Sequence, residues 1–531
     1  MALQNTVLGT VTSFLTSRNA LFLVCGWIAY KLLLALWNLS PFHPLSHIPG
    51  PKLATATYLP EFWYDVVKFG RYTKEIQKMH EVYGPIVRIN PNEVHCNDAQ
   101  FIDEIYAGVG RKRDKPLHQV SGSAMENSFF ATSDHDHHRI RRAPVAKFFS
   151  RTQIARLEPQ IQLLVQRFCN KLLACAGKDE PINAQTAYSC FTADVISYYS
   201  FGESFGFLAQ DSWEPNFREP MYSLLQTVFL FRFFPFLKHT AMASSWFVRY
   251  LPRDMALLIR TLDTDIPNQI RKTKISTDAG IVRDRPTIFG ELLNSDLPPE
   301  EKTVVRLVDE AASVLGGGTD TVSWTLSVMT YYLLTRPDIM SKLTEELRAA
   351  VKDPLSLPSW TTLEQLPYFG AVMQEGLRLS YGISARSARA ATEEDLVYRG
   401  EWTPKGSSDA VKVEHVIPRG YGIGMSNVMV HHDETLFPDP YSFVPERWLD
   451  DSMQRNRELE RYLLSFSKGS RMCPGMNLAL CELYLCLAAL ILRVFPHMRL
   501  FETTEEDVKY DHDMFVPLVK SESKGVRVVI V

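Results

Sequence analysis

The stretch Phe466-Ser467-Lys468-Gly469-Ser470-Arg471-Met472-Cys473-Pro474-Gly475 decides the fold, because it surrounds one cysteine with residues suited to display its sulfur. Gly469 and Gly475 permit turn conformations and a close approach of the backbone to a flat group. Pro474 precedes an apolar segment, residues 476–492, that we predict as a helix. The N-terminal amides and the dipole of such a helix favour the anionic sulfur of Cys473 over the neutral thiol. The loop therefore predicts a metal-binding cysteine.

A thiolate is an axial ligand of haem iron that favours cleavage of the O–O bond. A lone cysteine at a helix start is more often an inert packing residue, but the ten-residue pattern outweighs that alternative. The loop resembles the signature of the cytochrome P450 family, Phe-x-x-Gly-x-Arg-x-Cys-x-Gly, at every fixed position. This resemblance implies haem b as the cofactor, Cys473 as its axial iron ligand and Arg471 as a donor to a haem propionate. The matched positions are Phe466, Gly469, Arg471, Cys473 and Gly475.

Length and composition predict one large domain. The chain has 531 residues, and no Ser/Gly linker or internal repeat divides it after residue 50. Apolar residues make up 46% and charged residues 22%, which suits a large core and argues against disorder. The net charge of −3 and the lack of a long basic run give no indication of nucleic acid as a partner. The eight cysteines show no paired zinc spacing, which favours reduced thiols in a cytosol-facing domain.

The N-terminal region predicts a membrane anchor. Residues 19–39 are almost wholly apolar, broken only by Lys31, and are long enough to span a bilayer. A cleaved signal peptide is the alternative, but the apolar stretch begins late and lacks a clear cleavage site. The proline-rich residues that follow resemble the stiff connector of membrane-bound P450s, and the resemblance implies a catalytic domain on the cytosolic face of the endoplasmic reticulum. The expected organisation is a lead at 1–18, a transmembrane anchor at 19–39, a hinge at 40–52 and a catalytic domain at 53–531.

A glycine-rich segment predicts the oxygen-activating helix. Residues 302–334 are compatible with one long helix, yet Gly316-Gly317-Gly318 interrupts it at a cost of about 1 kcal/mol for each glycine. The missing side chains leave room for haem and dioxygen. An acid beside a hydroxyl can relay protons, so Asp320 and Thr321 are the candidate catalytic pair. A solvent-facing acid and a back-bonded threonine are the alternative for an isolated pair, but the segment also resembles the Ala/Gly-Gly-x-Asp/Glu-Thr motif of the family.

A charged pair and a downstream arginine predict a structural cluster behind the haem. Glu375 and Arg378 are one helical turn apart, which alone carries little information. They resemble the Glu-x-x-Arg motif of the family, and Arg447 lies in a Pro-Glu-Arg segment that matches the family's downstream motif. The resemblance implies that these three residues form a buried triad on the thiolate side of the haem.

Three further basic residues are candidates for the haem propionates. Arg141 resembles the arginine of the family's propionate-binding helix, and His137 stands where tryptophan is common. A solvated basic helix face remains the alternative for this segment. Arg389 falls near another propionate-contacting arginine of the family.

The residues expected to face the substrate are small and apolar, as the resemblance to the family's substrate-contacting segments implies. Such a pocket suits a terpenoid or polyketide skeleton and excludes a strongly charged substrate. Residues 45–52 and 103–106 resemble fungal secondary-metabolism members, including the trichodiene oxygenase group. The candidate substrate residues are Ala311, Ala312, Leu315, Ile383, Ser384, Ala385, Met514, Phe515 and Val516.

The fold class predicted is mainly α with small β-sheets, the cytochrome P450 fold. Residues 85–89 and 93–96 predict two short strands, and residues 525–531 alternate like a strand. Helical periodicity dominates from about residue 152 to 378. The apolar run 227–237 is too short to span a bilayer, and both a membrane-dipping lid and a buried helix corner remain open.

The function predicted is a monooxygenase that inserts one atom of O2 into a hydrophobic small molecule. Because the chain shows no flavin-binding or dinucleotide-binding segment, electrons from NADPH would come through a separate NADPH-cytochrome reductase. Lys468, Arg461 and Arg471 are candidates for its docking surface. Two alternatives stay open: a haem-thiolate isomerase or dehydratase that needs no external electrons, and a non-catalytic haem- or lipid-binding membrane protein. The acid and threonine pair favours oxygen activation.

Overall fold

The computed structural model describes residues 17–178, 180–237, 253–280 and 285–531, and most of the lead predicted at 1–18 lies outside these described residues. Helices dominate, as the sequence predicts. The longer ones are α1 Ser17–Leu39, α2 Tyr72–Tyr83, α3 His135–Phe148, α4 Arg151–Leu173, α5 Ala184–Phe201, α6 Arg218–Phe233, α7 Arg253–Arg260, α8 Ile266–Asp278, α9 Ile288–Asn294, α10 Val304–Thr335, α11 Pro337–Ala350, α12 Pro367–Ser380 and α13 Met476–Ala489.

Short helical turns connect these elements. The α-helical ones are Lys52–Ala56, Leu59–Phe62, Ile102–Ile105, Leu117–Val120, Trp360–Leu363, Asn427–His431 and Arg457–Glu460. The 3-10 and π-helical ones are Trp63–Val67, Ala99–Phe101, Thr261–Asp265, Pro299–Lys302, Pro445–Trp448, Gly469–Arg471, Leu490–Val494, Phe495–His497 and Glu505–Asp507.

The strands form small sheets at the edges of the helical body. The largest has the order β1-β2-β8-β5-β3, with β2 and β8 parallel and the other pairs antiparallel. The predicted hairpin is present, with Ile86 opposite Cys96. The predicted C-terminal strand is β12, which pairs with β4 and β9. The strands are β1 Ile86–Asn90, β2 Glu93–Cys96, β3 Arg113–Asp114, β4 Ile182–Asn183, β5 Ser387–Ala391, β6 Leu396–Trp402, β7 Val411–Ile417, β8 Gly422–Met425, β9 Met498–Leu500, β10 His512–Met514, β11 Val516–Leu518 and β12 Arg527–Ile530.

Two helices are long and apolar enough to cross a membrane, and burial separates them. The window Met476–His497, which includes α13, is 78% buried because α13 packs in the main core against α4 and α10. A helix that is apolar on all sides and enclosed by other helices is a core helix. The window Leu21–Leu39 of α1 is 0% buried, so this helix is not part of the hydrophobic core.

The proline-rich hinge is packed against the domain. Leu45 and Ile48 are buried in the hydrophobic cluster of the largest sheet. Arg88 of β1 donates to the carbonyl of Asn38 at 3.0 Å, and the Asn38 amide donates to the carbonyl of Ala56 at 2.9 Å. These bonds fix the C-terminal end of α1 to the sheet.

The apolar run 227–237 is divided between interior and surface. Most of it belongs to α6, where Phe229 and Arg232 are buried. Beyond the helix, Phe236 is 61% exposed. The inner face of this run therefore packs on the domain, as a helix corner would, and membrane contact at its tip stays a prediction.

Candidate functional site: a thiolate loop beside a buried cation cluster

The loop before α13 holds Cys473 in a fixed position. The Cys473 amide donates to the carbonyl of Phe466 at 2.9 Å, which closes the loop. Gly469 has a φ of 72°, and a Cβ there would lie 2.2 Å from the carbonyl oxygen of Tyr106. Only glycine satisfies both conditions. The positions of Phe466, Gly469 and Cys473 are therefore set by local backbone geometry.

The sulfur of Cys473 faces a space inside the fold. The residue is accessible to solvent, yet burial raises the pKa of its thiol. Both observations hold when a side chain opens onto an enclosed space instead of the outer surface. The Gly475 amide donates to the sulfur and the positive charge of Arg142 lies near it, and both oppose the rise in pKa. These two contacts would stabilise a thiolate at this position.

Five basic side chains form a group inside the fold, the cation cluster: His138, Arg389 and Arg471 are buried, and Lys115 and Arg142 are partly buried. Burial and the charges of Arg389 and Arg471 hold the pKa of Lys115 well below its usual range. Burial and Arg389 lower the pKa of Arg471 to about 10, and burial lowers the pKa of Arg142 and of Arg389. Burial, with Arg471 and Lys115, lowers the pKa of His138 to about 2.

The cation cluster fits an anionic group. Among the described residues, the pKa of Lys115 is affected only by burial and by other cations, and the carboxylates of Asp114 and Asp134 act on Arg471. Buried like charges repel one another unless an anion compensates them. Two haem propionates would supply that compensation. The donors present, together with the sulfur that Arg142 also faces, therefore fit a haem carried on a thiolate.

Arg471 is held by the backbone. Its guanidinium donates to the carbonyls of Arg113 at 3.0 Å and Thr132 at 2.6 Å, and also to that of Ser133. Since Arg471 is buried, it does not present its charge on the outer surface, where the sequence predicts that it adds to a reductase-docking area. Lys468 and Arg461 remain for that role, and Arg461 pairs with Asp103 at 3.1 Å.

The structure places the two predicted propionate donors of α3 elsewhere. Arg141 Nε lies 2.8 Å from one oxygen of Glu301, and His137 Nε2 lies 2.7 Å from the other. Burial alone would raise the pKa of the Glu301 carboxyl, but the hydrogen bonds from Arg141 and His137 lower it to about 2. This segment therefore holds α3 to the start of α10.

The residues of α3 that face the cation cluster are the next in the chain, His138 and Arg142. A step of one residue rotates a helical side chain by about 100°, so the pair at 137 and 141 and the pair at 138 and 142 lie on different faces. His138 is 4% exposed, whereas the His137 side chain is 45% exposed. The sequence contains the same histidine-to-arginine spacing in both registers, and only burial distinguishes them.

The candidate catalytic pair lies in the middle of α10. The Thr321 hydroxyl donates to the carbonyl of Gly317 at 2.8 Å. Asp320 accepts a hydrogen bond from the Gln185 amide at 3.4 Å, and burial raises its pKa while Arg218 opposes the rise. The two side chains thus contact different neighbours, and the described contacts do not join them directly. Asp320 carries a proton more readily than an exposed acid, which suits a proton donor.

Glu375 is the centre of a buried ion cluster on α12, the Glu375 cluster. Its two oxygens accept from Arg378 Nη2 at 2.8 Å and Nε at 2.9 Å, and Arg447 Nε donates at 3.2 Å. The amide of Val444 and the indole of Trp448 each donate at 2.8 Å. Arg378 also donates to backbone carbonyls of 431, 440 and 442. The predicted triad is assembled from three separate segments of the chain, and its members contact one another and the backbone.

Two of the predicted substrate segments, residues 383–385 and 514–516, contact each other beside α6. The Ala385 amide donates to the Phe515 carbonyl at 3.3 Å, which joins residues 383–385 to residues 514–516. Ala385 and Met514 pack with Phe229 of α6 in one apolar cluster. Of the other predicted residues, Ile383 and Phe515 are partly exposed, whereas Ser384, Ala311, Ala312 and Leu315 are buried.

A second ion cluster, which the sequence did not predict, ties α6 to this region. Arg386 contacts Glu61 at 2.5 Å and Asp65 at 3.3 Å. Arg232 of α6 lies 3.4 Å from the same oxygen of Glu61, and His118 lies 2.9 Å from it. These residues come from distant parts of the chain, and no local spacing relates them. The end of α6 is therefore fixed beside the segment 383–385.

The comparisons with known proteins agree with this geometry. A family model described as Cytochrome P450 matches residues 51–516. Cytochrome P450 monooxygenase ppzE of Metarhizium majus is 42% identical over 84% of this chain and 94% of its own length. Conidiogenone synthase PchP450 of Penicillium rubens is 38% identical and N-acetyltryptophan 6-hydroxylase ivoC of Emericella nidulans is 36% identical, each over 96% of this chain and at least 96% of its own length.

A solved structure supports the fold independently. The retinoic acid-bound cyanobacterial CYP120A1 superposes with a TM-score of 0.64 over 91% of this chain and 98% of its own length. The sequence identity is 19%, so this likeness concerns the arrangement of helices and sheets alone.

Proposed function

Since this chain belongs to the cytochrome P450 family and is similar to fungal secondary-metabolism monooxygenases, we propose that it is a membrane-anchored, NADPH-dependent enzyme that oxygenates a hydrophobic small molecule. The observation that carries the proposal is the combination of the Cys473 sulfur with the cation cluster. Together they would supply a sulfur ligand for the iron of a haem and donors for its two carboxylates. When bound, haem with a thiolate ligand supplies oxygen activation and O–O cleavage.

The protein's own residues supply binding and protons in this proposal. Cys473 would hold the iron, and Arg142, His138, Lys115 and Arg389 would hold the propionates. Burial raises the pKa of Asp320, which favours a role as proton donor, and the Thr321 hydroxyl is anchored on the carbonyl of Gly317. A positioned acid and hydroxyl favour an oxygenase over an isomerase that needs no protons from this side.

The substrate in this proposal is apolar. Ile383, Phe515 and the apolar cluster of Phe229, Ala385 and Met514 offer few polar anchors. The names of the relatives cover different molecules, because one is a conidiogenone synthase and another hydroxylates N-acetyltryptophan. We therefore propose a terpenoid or polyketide skeleton from the pocket's chemistry alone.

The membrane anchor in this proposal is α1. Its apolar side chains are unburied, and exposed apolar residues continue onto the domain at Phe42, Leu53 and Leu59. The hydrogen bonds of Asn38 hold the end of α1 against the sheet, so the domain would rest on the bilayer surface. We place it at the endoplasmic reticulum, facing the cytosolic NADPH-cytochrome reductase.

The test uses the full chain expressed with a reductase in a fungal host that lacks the gene. We expect a carbon monoxide band of thiolate-ligated haem, NADPH-dependent oxygen uptake and a metabolite with added oxygen. Cys473→Ser should abolish the band, whereas the matched control Cys175→Ser, distant from the loop in sequence, should retain it. A thiolate band in Cys473→Ser would overturn the assignment of the ligand. Product formation that does not require NADPH would favour the isomerase alternative.

A further inference from the structure

The three successive glycines of α10 have different surroundings. A Cβ on Gly316 would lie 2.5 Å from Cε of Met221, and a Cβ on Gly318 would lie 2.7 Å from Cγ1 of Ile196. A Cβ on Gly317 would have no heavy atom within 4 Å, and Gly317 is exposed although its helix is largely buried. Successive helical residues point about 100° apart, which explains the difference. Only Gly317 opens onto the internal space, while Gly316 admits a side chain of α6.

Met221 belongs to the inner face of α6. Met221, Leu224 and Val228 recur at helical spacing and are buried or partly buried, whereas Tyr222 and Gln226 between them are exposed. Farther along the same helix, Phe229 packs with Ala385 and Met514. The inner face of α6 thus extends from the glycines of α10 to the predicted substrate segments, with Met221 at the glycine end.

We propose that Met221 is a specificity-determining residue, which limits the size of the substrate group that reaches the space beside Gly317. The inference rests on the proposed function, because it assumes that oxygen is activated at this turn of α10. Methionine is unbranched and flexible, so it fills an irregular gap such as the one that Gly316 leaves. The fit is reciprocal, because a methyl group at position 316 would lie 2.5 Å from Cε of Met221 and displace that side chain; we expect it to move toward the space beside Gly317.

The test measures the binding of two iron ligands of different size to the ferric full-length holoenzyme, by the shift of the Soret band. Imidazole is the small probe, and 4-phenylimidazole is the bulky one. Met221→Ala removes the side chain beyond Cβ. We expect this variant to bind 4-phenylimidazole at least tenfold more tightly than wild type, while its affinity for imidazole changes less than twofold. Met221→Phe should lower the affinity for 4-phenylimidazole at least tenfold. Gln226→Ala, on the outer face of the same helix, should change neither affinity.

Gly316→Ala completes a double-mutant cycle. Alone it should lower the affinity for 4-phenylimidazole about tenfold. Combined with Met221→Ala it should cause no loss, so that the double variant binds at least tenfold more tightly than wild type, as Met221→Ala alone does, because the added methyl group then has space. Equal changes for both probes in the Met221 variants, or additive effects of Gly316→Ala and Met221→Ala, would overturn the proposal. A wild type without a thiolate carbon monoxide band would instead refute the proposed function. The two failures are therefore distinguishable.

Discussion

Removal of the Glu375 carboxylate is the most severe single change that the structure predicts away from the haem ligand. In Glu375→Ala, two buried arginines lose their shared anion, and the donors of Val444 and Trp448 lose their acceptor. Removing one partner of a buried ion pair costs about 3–5 kcal/mol, because the other charge stays desolvated. Each orphaned neutral donor costs about 1–3 kcal/mol more, although such costs do not simply add.

Even the loss of the ion pair alone, about 3–5 kcal/mol, is a large part of the total stability of a typical domain, about 5–15 kcal/mol. The Glu375 cluster also joins α12 to residues 438–448, so its collapse would loosen the segment that leads toward the cysteine loop. We therefore expect Glu375→Ala to accumulate little haem-loaded protein. Arg447→Ala should be milder, because Arg447 contacts Glu375 once, at 3.2 Å, whereas Arg378 contacts it twice.

The assay is haem content per purified protein, followed by the denaturant concentration at which the Soret band is lost. The matched control is Glu414→Ala, which removes an exposed partner of Arg399 at 2.8 Å in the β6–β7 hairpin. Exposed pairs contribute about 0–1 kcal/mol, so this variant should behave as wild type. Full haem content and an unchanged midpoint in Glu375→Ala would refute the reasoning about desolvated charge.

Three other outcomes are expected. Arg142→Ala should lower haem retention by weakening the cation cluster. Arg141→Ala should keep the normal Soret band, because Arg141 binds Glu301. Spectral titration of the reconstituted proteins distinguishes the two variants. Thr321→Ala should raise peroxide release per oxygen consumed, which an electrode and a peroxide assay measure. Burial raises the pKa of Asp513 to about 7 in the folded protein. As the pH rises from 4 to 7, this carboxyl ionises in the unfolded chain before it does in the folded protein, so its contribution to the free energy of unfolding falls. Denaturant titrations should show a weaker decline of stability with pH for Asp513→Asn.

Local motifs predicted the cysteine loop and the long helix, whereas the Glu375 cluster was predicted from the resemblance of its segments to those of the family. Gly469 shows why, since its φ is positive and any Cβ there would lie 2.2 Å from the carbonyl oxygen of Tyr106, so that glycine alone fits. The Glu375 triad is assembled as expected because each of its members belongs to a recognisable segment.

Helical register was the main source of error. His137 and Arg141 differ from His138 and Arg142 by one residue, and composition gives both pairs the same chemistry. The position of Glu301, 160 residues after Arg141, decides between the two pairs. Glu301 binds His137 and Arg141, and the other pair faces the cation cluster. No local pattern contains that information, because it depends on how α3 packs against the start of α10.

The two ends of α6 are held by contacts of different chemistry, and each contact affects the substrate space in its own way. At its first turn, Met221 occupies the site that Gly316 leaves, so the contact there is steric and apolar. At its last turn, Arg232 binds Glu61, which also binds Arg386 next to the predicted substrate residue Ala385. Loss of Arg232 would remove this ion pair from the end of α6. The buried Glu61 carboxylate would not be left unpaired, because Arg386 would still neutralise it. Size selection beside Gly317 and attachment of the last turn of α6 therefore depend on different contacts.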